Sequence, residues 1–441
     1  MTHTGMTRRS VLRTTSALAL PVFGAGALAA CGDDGSDGSS GPVDMVFSTW
    51  GSPEEMKKSD EFVAKYNADH AAAGTITMTL TPVDSYKEKV LTQLVGGNAP
   101  DVIGATDDFM AKLIESNAVV ELGPLLDGAA SRTKTSDFGA DAWGAAKTAD
   151  GRYFGITTDA NPSLMWYNTK VLKAAGITEE PSATFEAGNW TRDYFQNTID
   201  KVVASGVKAF VVGSSWYDLY PWFTAFGGSV YKDGKFVAQD DATSVETLQW
   251  LVDLVKGKSC YHVLTVPAGQ GQDSLFMANS LAFTTEGRWV VPQYKTISSL
   301  ETDVVHRPTV DGKMAVTATY TAFLTINKKA KNRDAAFAFL TAYGSVEGQT
   351  FRLGDGGVSV PSIKGADAVV TQGGYPKHAK YFTDAQTTAF PLPVEEARVP
   401  GLSAAIQRTF DELFAKSGDA KGALQTIAGL ANKAIEKGQL D

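Results

Sequence analysis

Apolar and polar positions follow two different periods in the segment that comes after residue 42. The run VDMVFSTW (43–50) is short and apolar, and TITMTLTPV (75–83) alternates with β-branched residues, so both are predicted to be strands. Between them, Ser52 stands before Pro53, and acidic residues follow. This order is typical of a helix whose N-cap is Ser52 and whose first helical residue is Pro53.

The next segments continue the alternation. The stretch DSYKEKVLTQLVGG is predicted to be a helix that is capped by Asp84 and ends at Gly96 and Gly97. PDVIGA (100–105) is predicted to be a further strand. Strands that alternate with helices form βα units around a mostly parallel sheet. The pattern therefore predicts an α/β protein.

The N-terminal residues carry a different pattern. Two adjacent arginines in TRRSVLR (7–13) precede an uncharged segment that is too short and too interrupted by Gly and Pro to span a bilayer. A basic start, a short apolar run and small residues predict a secretory signal over residues 1–30, and the paired arginines resemble a twin-arginine export signal. LAAC (28–31) resembles a lipobox, in which cleavage precedes lipidation of Cys31. The alternative is an uncleaved anchor with a chance cysteine.

An acidic segment rich in glycine and serine follows this cysteine. Residues 31–42 contain nothing to bury, and such a composition behaves as a flexible coil. Two or three acyl chains hold a protein stably on a bilayer, whereas one holds it marginally. We therefore expect a lipid tether on Cys31 that keeps a folded body at the outer face of the cell membrane.

Composition limits the classes of partner and of fold. The whole chain has a formal net charge of −9 at pH 7, and loss of residues 1–30 leaves 37 basic against 49 acidic residues, a charge of −12. Binding to nucleic acid requires a basic surface, so we expect no nucleic-acid partner. About 400 residues follow the tether. Because a single hydrophobic core rarely serves a chain of that length, two domains are predicted. Cys260 is the one other cysteine, so no disulfide is expected within the body.

Five stretches follow one another along the chain. They are LTQLVGGNAPDVIGATDDFMAKLIESNAVVEL (91–122), GRYFGITTDANPSLMWYNTKVLKAAGI (151–177), WYDLYPWFTAFGGSVY (216–231), DSLFMANSLAFTTEGRWVV (273–291) and AFLTINKKAKNRDAAFAFLTAYGSVEGQ (322–349). In this order they resemble the extracellular solute-binding proteins of the family that includes the maltose-binding protein. The resemblance implies a two-lobe, periplasmic-binding-protein-like α/β fold of type II, with mostly parallel sheets, flanking helices and a hinge.

The same resemblance sets expected lobe boundaries. Lobe 1 is expected to comprise residues 43–155 and 318–361, and lobe 2 residues 156–317 and 362–441. The chain would cross between the lobes near Ile156, Thr319 and Pro361. Ligand would lie in the cleft, and the lobes would close over it by a hinge.

A carbohydrate site has chemical requirements of its own. Sugars present apolar C–H faces and many hydroxyl groups, so their sites need aromatic rings and short polar side chains on loops that follow strands. The family resemblance implies roles for three residues. Asp108 matches a family position that holds a sugar hydroxyl, Trp289 matches a stacking tryptophan of the family, and Asn161 matches an acidic sugar contact. The candidate ligand contacts are Trp50, Tyr86, Asp107, Asp108, Asn161, Tyr217, Trp222, Glu286, Arg288, Trp289, Tyr320 and Gly356.

Several candidates have a structural alternative. Trp50 would serve equally in local packing, and Asp107 or Asp108 as the N-cap of the helix DFMAKLIES. Tyr320 would serve as a hinge residue, and Gly356 as part of a turn in GDGG. Of the aromatic residues between 216 and 222, at most two are expected to face a cleft, the rest belonging to the core.

The expected function is therefore capture without chemistry. The chain would hold a mono- or oligosaccharide as a monomer and deliver it to the separate permease subunits of an ABC importer. No metal-binding spacing, Walker loop or Gly-x-Ser-x-Gly occurs, and no cofactor is expected. Three alternatives stay open: a glycoside hydrolase with two carboxylates, a structural surface lipoprotein, and a binder of an acidic or amino-acid-like solute through Arg288 and Arg352.

Overall fold

A computed structural model describes residues 42–148 and 150–440 of the chain. The expected signal peptide, the lipidation position Cys31 and all of the tether except Pro42 lie outside the described residues. The strands are β1 (Met45–Trp50), β2 (Ile76–Thr81), β3 (Val102–Ala105), β4 (Ile156–Pro162), β5 (Leu164–Asn168), β6 (Val211–Val212), β7 (Tyr231–Lys232), β8 (Lys235–Phe236), β9 (Tyr261–His262), β10 (Phe283–Glu286), β11 (Thr302–Val305) and β12 (Thr319–Ile326).

Helices surround these strands, and short 3₁₀ helices lie at Ala140–Ala146 and Arg288–Val290 among other places. No helix in the described residues is long and apolar enough to span a bilayer. The helices are α1 (Lys57–Asp69), α2 (Val83–Gly96), α3 (Asp107–Glu115), α4 (Gly123–Leu126), α5 (Thr169–Ala174), α6 (Pro181–Glu186), α7 (Arg192–Ala204), α8 (Trp216–Ala225), α9 (Ala242–Lys256), α10 (Gln272–Met277), α11 (Val291–Tyr294), α12 (Arg333–Tyr343), α13 (Val346–Leu353), α14 (Lys380–Gln386), α15 (Val394–Ala397), α16 (Leu402–Lys416) and α17 (Ala420–Lys437).

The first three strands and α2 confirm the pattern read from the sequence. α2 ends at Gly96, and Gly97 has a φ of 73°, a conformation that glycine adopts without steric cost. Two start positions were wrong. α1 begins at Lys57, because Ser52 and Glu55 bond reciprocally and close a separate turn. The N-cap position of α2 is Pro82, and Asp84 lies in its first turn.

A five-stranded sheet has the order β2-β1-β3-β12-β4. The expected parallel pairing is found in β2-β1-β3, whereas β12 runs antiparallel to both β3 and β4. This sheet is therefore mixed, because β12 enters from the opposite edge after the chain returns from a second sheet. α12 packs against it through Phe339 and Leu340, which are buried beside Phe47.

The second sheet has three strands in the order β10-β5-β11, all antiparallel. Its central strand β5 is buried along its whole length, with Trp166 in one apolar cluster and Met165 and Tyr167 in another. Side chains of a strand alternate between faces, so both faces of this sheet are covered. The continuous apolar sequence LMWYN follows from this double burial.

The chain passes from one sheet to the other at Ser163, which lies between β4 and β5. The change of sheet comes after Pro162, because β4 continues beside β12 through that residue, and the expected lobe crossing near Ile156 stays a prediction. β12 begins at Thr319, and Val360 forms a two-way backbone bridge with Ala160. The exact extents of the two expected lobes stay a prediction.

Candidate functional site

One edge of the five-stranded sheet gathers several of the candidate residues. β1 ends there at Trp50, and α3 begins there after β3. β12 starts at the same edge, with Tyr320 paired to Asn161 of β4. Ligand sites of α/β proteins form at such an edge, because side chains from different strands converge where the strands end.

Four aromatic side chains from three segments meet beside this edge. We call Trp216, Tyr217, Trp289 and Tyr320 the aromatic cluster. The rings of Tyr217 and Tyr320 stack with centroids 4.0 Å apart at 18°, and Trp289 lies 5.8 Å from Tyr217. Trp216 meets Tyr320 edge-on at 5.3 Å. Tyr320 is 36% exposed, so the cluster presents ring surface to the solvent.

Local geometry places two of these rings in the first turn of α8. Ser215 caps this helix by accepting from the backbone N–H of Asp218 at 3.3 Å, and its hydroxyl donates to the Asp218 carboxylate at 2.7 Å. The cap fixes where the chain enters the helix. Trp216 and Tyr217 follow it directly and are held in one orientation.

A glycine allows Trp289 to lie close to the same strands. A Cβ on Gly287 would collide with the Trp289 ring and would come within 2.9 Å of Asn161 Cβ. The ring therefore occupies space that any other residue at 287 would fill. Its indole Nε1–H donates to Glu286 at 2.9 Å, which fixes its orientation.

Asn161 connects three parts of the site. Its Nδ2 donates to Ser359 Oγ at 2.7 Å, its Oδ1 accepts from the backbone N–H of Arg288 at 2.9 Å, and its carbonyl accepts from Tyr217 Oη at 3.0 Å. An amide can donate and accept, whereas a carboxylate only accepts. The asparagine is therefore buried as a connector behind the rings.

Carboxyl groups surround the cluster. Glu286 accepts from Trp289 and from Gln272, and Asp273 accepts from Tyr294 Oη at 2.9 Å. Burial, with the charge of Asp273 next, raises the pKa of Glu286 well above its usual range. Burial likewise raises the pKa of Asp218. These oxygens give the surroundings of the rings a strongly hydrogen-bond-accepting character.

The two aspartates at the start of α3 differ in environment. Asp107 is 3% exposed, and its Oδ1 accepts from the backbone N–H of Ala145 at 3.3 Å. Burial raises its pKa to about 7. Asp108 is exposed, pairs with Lys87 and accepts from Thr106 Oγ1 at 2.7 Å. The N-cap position belongs to Thr106, so neither aspartate is the cap that the sequence allowed.

Other candidates lie away from the aromatic cluster. Tyr86 is buried and donates to the carbonyls of Ser48 and Gly104, while Trp50 packs on it at 5.6 Å. Trp222 is 2% exposed and belongs to the apolar core, where its ring packs against those of Phe195 and Phe210. These contacts are structural, so Tyr86 and Trp222 are not carried into the proposed site.

Arg288 and Gly356 also have structural surroundings. Arg288 is fully buried, and its guanidinium donates to the carbonyls of Leu353, Ser359 and Val370 at 2.9–3.2 Å. It makes no ion pair with Glu286. Gly356 has a φ of 80° and lies in a turn. Neither residue presents a donor to the aromatic cluster, and both are left out of the proposed site.

Sequence reasoning did not single out some members of this site. Trp216 was one of several aromatic residues expected mainly in the core, and Asp218, Gln272 and Asp273 were not considered. The spacing of Ser215 and Asp218, typical of a helix cap, was the available signal for Asp218. Among residues 42–148 and 150–440, no group of three or more His, Cys, Asp or Glu side chains is arranged to hold a metal ion.

A cavity of about 760 Å³ lies nearby, between α3 with residues 144–148 and α8 with residues 390–398. Its walls are mainly apolar, and none of the candidate ligand contacts lines it. Phe390 lines it and also approaches Trp216, with centroids 6.4 Å apart. Sugar hydroxyls need polar partners, so this cavity suits a carbohydrate less well than the aromatic cluster does.

Comparison with known proteins gives the family. Residues 50–350 match the model of the bacterial extracellular solute-binding proteins. The chain belongs to this family. A curated relative, the arabinooligosaccharide-binding protein of Bacillus subtilis (strain 168), is 22% identical over 250 residues. The match covers 55% of the chain and spans about half (53%) of that relative's length.

Solved structures show the same fold. An ABC substrate-binding protein of Listeria monocytogenes in complex with cycloalternan superposes with a TM-score of 0.77 at 18% identity, over 90% of this chain and 99% of that one. The GacH receptor of Streptomyces glaucescens, solved unliganded and with acarbose, superposes with a TM-score of 0.74 at 17% identity. That superposition covers 89% of this chain and 98% of the receptor. The fold is therefore the two-lobe periplasmic-binding-protein fold of type II, as the sequence predicted.

Proposed function

We propose that this protein captures a carbohydrate between its two lobes and delivers it to the permease of an ABC importer. The observation that carries the proposal is the aromatic cluster, in which Tyr217, Trp289 and Tyr320 combine ring faces with nearby carboxyl groups. Ring faces suit the C–H faces of a sugar, and carboxylate oxygens suit its hydroxyls. The ligand contacts proposed are Trp50, Asp107, Asp108, Tyr217, Glu286, Trp289 and Tyr320, with Trp216 added. Asn161, whose amide and carbonyl are bonded within the protein, is proposed to hold the rings in place behind them.

The names of the relatives agree with this ligand class. The curated relative is named for arabinooligosaccharides, and the two solved neighbours were studied with cycloalternan and with acarbose. We propose an oligosaccharide in preference to a single sugar ring, because rings from α8, β12 and the segment after β10 offer more than one stacking surface.

An acidic or amino-acid-like ligand is less compatible with the arginines. Arg288 and Arg352, which the sequence offered as partners for such a ligand, are buried and donate to backbone carbonyls. A ligand carboxylate would need a guanidinium that is free to form two parallel bonds.

A glycoside hydrolase would use two carboxyl groups, and Asp273 with Glu286 is a carboxyl pair beside the rings. Both already accept hydrogen bonds from protein side chains, Asp273 from Tyr294 and Glu286 from Trp289 and Gln272. An acid or nucleophile for hydrolysis must instead reach the glycosidic bond of a bound sugar. We therefore propose binding without turnover.

The proposal includes the membrane setting. The chain would be exported by the twin-arginine route, cleaved before Cys31, lipidated there and held outside the cell membrane as a monomer. Lobe 1 would comprise residues 43–155 and 318–361, lobe 2 residues 156–317 and 362–441, with the sheet change at Ser163 inside the hinge.

Tryptophan fluorescence tests the proposal. Trp216 and Trp289 lie in the aromatic cluster, so a sugar that stacks there should change their emission. We expect a saturable change with one class in a panel of arabino-, malto- and xylo-oligosaccharides, and chromatography should recover the sugar intact. Absence of a saturable change with any sugar, or release of shorter products, would contradict the proposal.

A further inference from the structure

Two crossing segments meet around one buried side chain. Ser163, between β4 and β5, and Thr317, just before β12, lie side by side where the chain passes between the two sheets. The backbone N–H of Ser163 donates to the carbonyl of Ala318 at 2.8 Å, and Thr317 Oγ1 donates to the carbonyl of Ser163 at 2.7 Å. Arg307, which follows β11, reaches both segments.

The guanidinium of Arg307 holds these segments together. Its Nη1 donates to the carbonyl of Ser163 at 3.0 Å and to Thr317 Oγ1 at 2.9 Å. Its Nη2 donates to Ser163 Oγ at 2.9 Å. Arg307 is 1% exposed, so these bonds form where water does not compete. Arg307 Nε has no hydrogen-bond partner, so the bonds of Nη1 and Nη2 are what compensate for burying the charge.

The same side chain also lies against α8, the helix whose first turn carries Trp216 and Tyr217. Its guanidinium carbon lies 5.5 Å from the ring centroid of Trp222, which follows Tyr217 in α8 by little more than one turn. The charges of Asp218 and Arg307 act on each other within this buried region, without an ion pair between them. Asp218 in turn bonds Ser215, the cap that orients Trp216 and Tyr217.

We infer that Arg307 is a positioning residue that couples the aromatic cluster to the hinge between the lobes. The inference rests on the proposed function for its ligand. A sugar that stacks on Tyr320, whose ring lies against the buried Tyr217, contacts the start of β12 directly and α8 through Tyr217. Arg307 ties Ser163 to Thr317, so that the two crossing segments bend together when the lobes close. Without it, binding at the rings would no longer be transmitted to the crossing segments.

Hydrogen exchange of the ligand-free protein tests the structural half of the inference. Arg307→Lys keeps the charge but cannot make the forked set of bonds. Thr317→Val removes, at nearly constant volume, both the acceptor for Arg307 and the donor to the Ser163 carbonyl. We expect exchange at the amides of Ser163 and Thr319 to accelerate about tenfold in both variants, because their bonds open locally.

Arg352→Lys is the matched control. Arg352 is also buried and donates to backbone carbonyls, but its acceptors, Thr158 and Tyr343, belong to β4 and α12 on the side of the five-stranded sheet. This variant should loosen its own surroundings and leave the Ser163 and Thr319 amides unchanged. Equal acceleration in Arg352→Lys, or none in Arg307→Lys and Thr317→Val, would overturn the inference.

Sugar binding tests the functional half, with arabinotriose and maltotriose as the molecules used. If wild type binds one of them, Arg307→Lys and Thr317→Val should raise its Kd about tenfold through faster dissociation, with association little changed, because the closed form is lost. Unchanged dissociation would overturn the coupling. A wild-type protein that binds no sugar at all would overturn the proposed function and the coupling, while the exchange result would still decide whether Arg307 holds the crossing.

Discussion

Asn161 carries an amide, whereas the position that it matches in the resembling family carries an acidic side chain. The hydrogen bonds of Asn161 account for this difference. Its Nδ2 donates to Ser359 and its Oδ1 accepts from Arg288 N–H, so both halves of the amide are used. Its position could be read from the sequence, but these bonds could not, because Ser359 lies 198 residues further along the chain. The carbonyl acceptors of Arg288 could not be read from the sequence either, because they also lie far from Arg288 along the chain.

The aromatic candidates divide between the candidate site and the apolar core. The family resemblance singled out Tyr217, Trp289 and, at an expected crossing, Tyr320, and the structure brings these three rings into contact. It also singled out Trp222, which stacks in the core. In α8 nearly every residue is buried, so helical periodicity has no polar face from which to decide which ring points to the cluster.

Replacement of Trp289 tests the site directly. Trp289→Ala removes ring surface beside Tyr217 and leaves Glu286 without its indole donor, so sugar affinity should fall at least tenfold, about 1.4 kcal/mol. Isothermal titration calorimetry with the sugar selected by fluorescence measures this. Trp250→Ala, at a partly buried indole in α9 bonded to Gln196, serves as the control and should keep its affinity. Equal affinities for wild type and Trp289→Ala would place the ligand elsewhere.

The carboxyl group of Asp107 predicts a dependence of stability on pH. Its pKa is about 7 in the folded protein against 3.8 for an unperturbed carboxyl, so between these values only the folded chain holds the proton. Raising the pH through this window therefore lowers the free energy of unfolding, by up to about 4 kcal/mol from this group. Urea unfolding at pH 5 and pH 8 should show a smaller loss for Asp107→Asn than for wild type. Identical losses would contradict the assignment.

At the scale of elements, the sequence predicted β1, β2, β3 and the C-terminal end of α2. These boundaries depend on local chemistry, such as β-branched alternation and a glycine with positive φ. The start of α1 was wrong, because Ser52 caps a separate turn and does not cap the helix. The place of β12 between β3 and β4 depends on pairing across about 160 to 220 residues, which local pattern does not encode.

The conformation of Gly144, in the segment that covers Asp107, predicts how a substitution there changes stability. It has φ 40° and ψ −132°, and an added Cβ would collide with Asp107 Oδ1 and approach Phe323 Cζ to 3.0 Å. Gly144→Ala should therefore destabilise the protein by about 2–3 kcal/mol, measured by urea unfolding. Gly139→Ala, at φ −68° with nothing within 4 Å of the added carbon, should be nearly neutral. Similar stabilities for the two variants would refute this account of Gly144.

At the scale of the molecule, the order of five motifs was enough to predict the family and the two-lobe fold, which the family match and the superpositions confirm. Each motif alone is short, whereas their order reflects the path of the chain through both sheets. The position of the first crossing was less predictable, since Pro162 and Leu164 belong to different sheets although one residue separates them.

The tether predicts where the molecule resides. Cys31→Ser removes the thiol that would be lipidated, so the protein should move from the membrane fraction to the soluble extracytoplasmic fraction, because no acyl chain remains to hold it. Cell fractionation and intact mass measure this. Cys260→Ala, at a buried cysteine of the body, is the control and should stay with the membrane. Membrane retention of Cys31→Ser would contradict lipidation at this position.

A crystal structure of the protein with its saccharide tests the central claim most directly. The account predicts an intact sugar whose ring faces lie against Trp289 and Tyr320, with hydroxyls bonded to Asp108 or Glu286. A saccharide in the apolar cavity lined by Phe390, a ligand that avoids the aromatic cluster, or a cleaved glycosidic bond would contradict it.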